Sequence, residues 1–458
     1  MNSVLLQIVY VAFVAAIAGY ITSKSKTEHK IITFLLSFYI LGASIINENT
    51  FIIKLGNIGA DLQVRRVIFL ILVIYLFINS IIKFRSVRAK INLPYEKYLF
   101  FFSLWFLIIL IYHSFTGILK FKEMGALVQG TISIIVLYVV LKRDTDEEMI
   151  RVLVKSMIAV AIISSTVAII QFLINPYFLR VGSELPAFGG KLRSNGVYWS
   201  EYLHSYNVLF ALILVLLFVD SKSKRFFLIS LFLIGILFTF HRMSWITTFI
   251  CISLYLTVEK KKDIWKFVVV GGILIFTIFV LTTEIFSVGA EIEQSEMYQS
   301  RLKSDTMTGR LKFYNMVLEN YDKIFLTGVG SKSSPLYYFG MMGVGVGEEW
   351  ARGETGGIHN GYLHVLFFYG MPTFLLFCLM LFAMMKEFMR GYINNNNFLF
   401  FPFLFILIYC LMNLTNAFPI TEDFGFLLGI VVGSSAAIMT KGLFRTGNTH
   451  LSIISTTT

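Results

Sequence analysis

The 458 residues are 57% hydrophobic and 14% charged, with 46 Phe and 22 Tyr. A soluble chain of this length cannot hide that much apolar surface, and disorder needs the opposite composition, so the sequence describes an integral membrane protein. The formal charge of +12 does not point to nucleic acid, because Lys and Arg are scattered over short connections, as the positive-inside rule requires of a polytopic protein.

A membrane-spanning helix needs roughly 20 apolar residues. Apolar runs at 4–21, 31–46, 67–82, 97–112, 124–141, 153–174, 203–219, 225–240, 243–258, 265–287, 361–385, 397–415 and 424–440 predict an all-α polytopic protein of about 12–14 transmembrane helices. The first run is followed by Lys24, Lys26, Lys30 and a second apolar run, which fits a spanning helix better than a cleavable signal peptide. Cys251, Cys378 and Cys410 all lie inside apolar runs and read as small core hydrophobes. Basic residues crowd alternate connections: Lys24 to Lys30, Lys83 to Lys97, Lys142 and Arg143, Lys222 to Arg225, Lys260 to Lys262, Lys386 with Arg390, and Lys441 with Arg445. These connections are expected on the cytoplasmic side. The organisation that follows is transmembrane helices over 1–287, a large outward loop with short helices over 288–360, further transmembrane helices over 361–440, and a cytoplasmic tail over 441–458.

The outward set also contains the 175–202 connection and the tight Phe240-His241-Arg242-Met243 turn. It holds Arg193, Arg242, Arg301, Arg310 and Arg352. Arginines kept on that side are not topology signals, and they invite a search for an anion. In the large loop, Thr308-Gly309-Arg310-Leu311-Lys312-Phe313-Tyr314 leads into an amphipathic helix ending near Asn320, with Phe313, Met316 and Val317 on one face. The glycine turn Thr327-Gly328-Val329-Gly330-Ser331 lacks the lysine-serine ending of a phosphate loop. No His, Cys, Asp or Glu grouping has metal-site spacing, so no metal and no cofactor is expected.

Taken in order, these motifs resemble the O-antigen ligase and polymerase superfamily. The resemblance rests on Arg242 in Phe238-Thr239-Phe240-His241-Arg242-Met243-Ser244-Trp245 and on Gly309-Arg310 before an aromatic. It rests further on Thr327-Gly328-Val329-Gly330, and on His359-Asn360-Gly361-Tyr362-Leu363-His364-Val365-Leu366 with Gly370. Arg193-Ser194-Asn195-Gly196-Val197-Tyr198-Trp199-Ser200-Glu201 is similar to a segment that polymerase-type members carry. The resemblance implies a GT-C-like lipid-linked glycosyltransferase architecture in the bacterial inner membrane, with its active site facing the periplasm. It implies metal-independent, inverting transfer from a glycan on undecaprenyl pyrophosphate, with a chain-length regulator as protein partner.

The chemistry of the residues agrees. Breaking a sugar–phosphate bond builds negative charge on the leaving pyrophosphate, and arginine presents a permanently charged planar fork to phosphate oxygens. Arg242 and Arg310 are assigned to the pyrophosphate, with Arg193 as a third contact. The attacking sugar hydroxyl needs a general base, and a neutral histidine at the junction of loop and membrane helix suits that task, which assigns His359. Glu201, Trp350, Asn360 and Tyr362 are glycan-binding or orienting candidates. His364, five residues on from His359, faces elsewhere and reads as structural, and His241 as a neighbour of Arg242. The favoured activity is polymerisation of lipid-linked repeat units, with ligation to a lipid A-core as the alternative. A non-catalytic flippase or transporter would instead place ionisable groups near mid-membrane on broken helices, and a purely structural subunit gives no reason for the arginines.

Overall fold

In the computed structural model the described residues are 2–45, 93–117, 121–182, 191–258, 321–330, 360–394, 396–414 and 422–444, with scattered positions between 53 and 78 and residues 184 and 317. They form helices α1 (Asn2–Lys24), α2 (Lys30–Gly42), α3 (Pro94–Phe115), α4 (Phe121–Asp144), α5 (Glu147–Leu173), α6 (Glu201–Phe218), α7 (Lys222–Leu237) and α8 (Arg242–Val258). A single turn, α9 (Tyr321–Ile324), is followed by α10 (Gly361–Ile393), α11 (Phe400–Met412) and α12 (Glu422–Lys441). Two residue pairs, Ile53 with Leu62 and Lys54 with Asp61, make a minimal antiparallel ribbon. The protein is thus all-α and polytopic: five of these helices, α1, α3, α5, α6 and α10, are long and apolar enough to cross a membrane. The expected run at 265–287 lies outside the described residues, as does most of the large loop.

Local chemistry sets where the helices begin. Pro94 opens α3, and the Glu96 carboxylate accepts from Leu93 N at 3.2 Å, a proline position that forfeits no hydrogen bond. Asp146 caps α5 by accepting from Met149 N at 2.6 Å, and Ser200 caps α6 by accepting from Leu203 N at 3.4 Å. Each cap satisfies an amide that the first turn cannot. A tight turn does lie before Met243: α7 stops at Leu237, Phe240 turns the chain at φ 51, and Arg242 opens α8. One difference from the sequence expectation stands out. The run expected at 361–385 extends to Ile393 and is broken at Gly370, where φ is 82 and ψ 170.

Inside a bilayer, helices gain little from burying apolar surface against one another, so close approach between small residues carries the packing. Gly425, Gly429 and Gly433 follow this rule at four-residue spacing on α12, where an added Cβ would lie 2.5 Å from Gly130 O, 2.9 Å from Leu137 Cβ and 2.9 Å from Leu141 Cβ of α4. Aromatic contacts fill wider gaps, as where the Phe210 and Phe405 rings stack at 4.2 Å between α6 and α11.

The bundle has two distinct ends. At one end Thr27 donates to the Asp146 carboxylate at 2.8 Å, Lys441 donates to the carbonyls of Arg143 and Thr145 at 2.6 and 2.8 Å, and Asn396 donates to Leu443 O at 3.1 Å. The rings of Phe218, Phe398 and Phe444 stack in series there, at 4.3 and 4.1 Å. This gathers at one end several of the lysine-rich connections that alternation assigned to a common side. The opposite end holds the carboxyl ends of α5, α7 and α11 and the amino ends of α6, α8 and α10.

Candidate functional site

That opposite end is built around residues 193–201. Arg193 lies 3.6 Å from the Glu201 carboxylate, with side chains 34% and 5% exposed. Glu201 is held because it sits in the first turn of α6, directly after the capping Ser200. Arg193 is held through its backbone: Arg180 Nη2 donates to Arg193 O at 2.7 Å, while Arg180 Nε donates to Pro176 O at 2.6 Å. Burial lowers the Arg180 pKa, and the carboxylates of Glu184 and Glu201 pull it back up.

Beneath this pair the loop is anchored by polar side chains within the membrane helices. Gln171 of α5 receives the amides of Asn195 and Gly196 at 3.1 and 2.9 Å and donates to Phe178 O and Gly196 O. Ser194 donates to Ala168 O, and Asn195 to Val181 O. Val197 N donates to Ser164 Oγ at 3.2 Å, Ser164 Oγ meets His204 Nδ1 at 2.7 Å, and His204 Nε2 reaches Gly235 O at 3.3 Å. A carbonyl only accepts, so Nε2 carries the proton and Nδ1 accepts from Ser164: a neutral, structural histidine. Gly196 must be glycine, since an added Cβ would fall 2.2 Å from Ser164 Oγ at a φ of +57.

A continuous set of contacts ties this loop to the other motifs. Ser194 N donates to Phe238 O at 3.0 Å. Ser205 of α6 donates to Thr239 Oγ1 at 3.1 Å, and Thr239 Oγ1 receives His241 N at 3.2 Å. The His241 and Ser244 side chains meet at 2.5 Å, next to the exposed Arg242. Ser244 and Thr247 contact Met412 Sδ at the end of α11 at 3.9 and 3.8 Å. One residue on, Asn413 O receives Gly361 N at 2.8 Å. Asn360 caps α10, accepting from the amides of Tyr362 and Leu363 at 3.0 and 3.1 Å and donating to Leu414 O at 3.2 Å. Tyr362 OH donates to Cys410 O at 3.1 Å. Arg193, Glu201, Arg242, Asn360 and Tyr362 are therefore brought to one end of the bundle. His359, Arg310 and Trp350 lie outside the described residues, although His359 immediately precedes the capping Asn360. His364 packs its ring 4.4 Å from Phe368.

The glycine turn has a different role from phosphate binding. Pro372 has no amide hydrogen, so the Phe368 carbonyl of α10 loses its helical partner. At the Gly370 break Met371 N turns away and donates to Phe325 O at 2.7 Å, which releases the Phe367 carbonyl as well. Val329 N and Gly330 N donate to these two carbonyls, each at 2.9 Å, and Gly328 N closes α9 on Ile324 O at 3.0 Å. The amides that a phosphate loop would offer are already engaged. The approach requires glycines: a Cβ on Gly328 would lie 2.4 Å from Phe368 C, and one on Gly370 would lie 2.4 Å from Leu326 O. The glycine turn and the glycine–proline break, far apart in the chain, are one interlocked device.

Residues 226–378 match the protein family described as O-antigen ligase. The match covers about a third of the chain and supports the O-antigen ligase and polymerase superfamily. The matched stretch runs from α7 to the middle of α10 and takes in Arg242, Arg310, the glycine turn, His359 and the Gly370 break. The Arg193–Glu201 element precedes it. No curated protein matches the chain. Among the described residues, no group of three or more His, Cys, Asp and Glu side chains is arranged to hold a metal ion.

Sequence reasoning passed over Arg180, Gln171, Ser164 and His204. For Gln171, Ser164 and His204 the available signal was a polar side chain inside an apolar run, which in a membrane helix marks a hydrogen-bonded interior position.

Proposed function

We propose that this protein is an O-antigen polymerase. In this reading it joins oligosaccharide repeat units carried on undecaprenyl pyrophosphate, at the outer face of the bacterial inner membrane, by inverting transfer that needs no metal. The acceptor hydroxyl attacks the anomeric carbon of the donor glycan as the bond to pyrophosphate breaks. His359 takes the hydroxyl proton. Arg242 and Arg310 receive the charge that develops on the lipid-borne pyrophosphate, with Arg193 as a third cation. A guanidinium already held in place, as Arg193 is beside Glu201, needs little rearrangement as that charge appears.

The observation that carries the proposal is the contact series from the Arg193–Glu201 pair through the Arg242 turn to Asn360, the neighbour of His359. Asn360 and Tyr362 act as orienting residues, because their side chains are committed to capping α10 and fastening it to α11. Glu201 orients Arg193, and Trp350 keeps its proposed role of stacking on an acceptor sugar. The break in α10 does not favour a transporter, since the carbonyls it frees are filled by backbone amides. A chain-length regulator would act from outside the catalytic unit.

A second reading, ligation of the glycan to lipid A-core, is favoured by the description of the matched family. The polymerase is preferred for the Arg193–Glu201 element, which lies outside that match. The deciding experiment supplies purified protein with a synthetic undecaprenyl-pyrophosphate repeat unit, alone and with a lipid A-core acceptor. A ladder of longer lipid-linked products from the repeat unit alone, absent in His359→Ala, is the expected result. Product only with the lipid A-core acceptor would mean a ligase. Undiminished elongation by His359→Ala would remove the histidine from its role as base.

A further inference from the structure

We infer that Trp199 is a stacking platform for a sugar ring and forms, with Arg193 and Glu201, a carbohydrate-binding subsite. The inference deepens the glycosyl-transfer reading above and rests on it for the identity of the glycan.

Trp199 is 44% exposed, although its neighbours Tyr198 and Ser200 are buried at 6% and 2%. The chain therefore turns this one ring outward at the amino end of α6. The ring is nonetheless held. Gly182, at φ +79, packs under it so closely that an added Cβ would fall 2.5 Å from the indole Cδ2, 2.7 Å from Cε3 and 2.2 Å from the Trp199 carbonyl oxygen. The indole is thus backed by Gly182 on one side while 44% of the residue stays exposed, which leaves ring surface open to a ligand. Two residues away, Glu201 pairs with Arg193 at 3.6 Å. Arg180 supports the Arg193 carbonyl at 2.7 Å and feels both Glu184 and Glu201 electrostatically.

A pyranose has an apolar C–H face and a rim of hydroxyls. Its complement is a flat aromatic surface beside carboxylates and a guanidinium, which accept from and donate to the rim. A tryptophan that only anchors a protein at the membrane interface needs apolar bulk and a wet edge. It does not need a rigid ring backed by glycine in a loop carrying two carboxylates and two arginines. Position 199 lies two residues before Glu201, in the same segment that carries Arg193, so a sugar held there would lie at the end of the bundle that carries the candidate site.

The test uses full-length protein in detergent micelles, with Trp199→Phe and Trp199→Leu compared with wild type. Phe keeps a stacking ring and Leu keeps only apolar bulk, so an anchoring role predicts equal behaviour. The probe is a set of oligosaccharides released by mild acid from the surface polysaccharide of the producing cells, free of lipid and phosphate. Binding is read by saturation-transfer NMR and titration, with thermal melting confirming that both variants fold. The expected result is binding by wild type, near-wild-type affinity for the Phe variant, and affinity at least about tenfold weaker for the Leu variant. Equal affinities in the two variants, whether high or low, would overturn the subsite, as would no binding by wild type. Lipid-linked transfer measured in parallel keeps the two readings apart. An inactive wild type whose oligosaccharide binding still needs an aromatic at 199 rejects the reaction and keeps the subsite. An active wild type with equal variants rejects the subsite alone.

Discussion

The turn at Gly196 is where one missing Cβ decides whether the Arg193–Glu201 pair can form. Its φ of +57 costs an L-residue strain, and the space a methyl would fill is occupied by Ser164 Oγ at 2.2 Å and His204 Nδ1 at 2.6 Å. Gly196→Ala is expected to destabilise the folded protein by about 3 kcal/mol, combining left-handed strain with disruption of a buried hydrogen-bond network. A thermal melt in detergent measures this, and a melting temperature equal to wild type would show that the loop adapts. Activity should fall further than stability, because Val197 N and Ser164 Oγ set the path of the chain between Arg193 and Glu201. Neither Ser164 nor His204 could be placed from the sequence. Each sits in an apolar run among other small or polar residues, and only the fold brings together positions forty residues apart.

Among the elements, α10 shows why the sequence was informative about helices and silent about their breaks. Apolar runs separated by charged connections gave the helices over most of the described chain, since the bilayer demands continuous apolar length. The Gly370–Pro372 break was not legible as a structural device, because its meaning depends on a partner at residues 325–330. The same holds for Gly425, Gly429 and Gly433, whose four-residue spacing was available but whose partner α4 was not. An unsatisfied carbonyl inside a bilayer costs several kcal/mol. Gly328→Ala and Gly370→Ala should therefore each be strongly destabilising, since each pushes the docked segment away from the carbonyls of Phe367 and Phe368. Because both remove the same docking, the double variant should cost clearly less than the sum of the singles. Denaturant or thermal unfolding of the four proteins gives the cycle. Strict additivity would mean that the turn and the break are energetically independent.

For the whole molecule, the placement of basic residues at both ends links fold to function. Lys142, Arg143, Lys222, Lys224, Arg225 and Lys441 belong to the end reached by the lysine-rich connections, while Arg180, Lys191, Arg193 and Arg242 occupy the end that carries the candidate site. Arg193 and Arg242 were legible because they fall in connections that alternate with the lysine-rich ones, and Glu201 because it closes the motif that Arg193 opens. The contact route between them was not, since it passes through Thr239, Ser244, Met412 and Asn413, none of which has a distinctive sequence setting. The proposed function requires the site end to face outward, where no nucleotide is available and the lipid-linked donor supplies the energy of transfer. Single cysteines at Lys191 and at Lys224, both exposed and at opposite ends, test this once Cys251, Cys378 and Cys410 are replaced by Ala. A membrane-impermeant maleimide added to intact spheroplasts should label Lys191→Cys and leave Lys224→Cys unmodified until the membrane is opened. The reverse pattern would turn the site toward the cytoplasm, where nucleotide-sugar chemistry becomes available. That result would remove the reason for reading the arginines as holders of a lipid pyrophosphate.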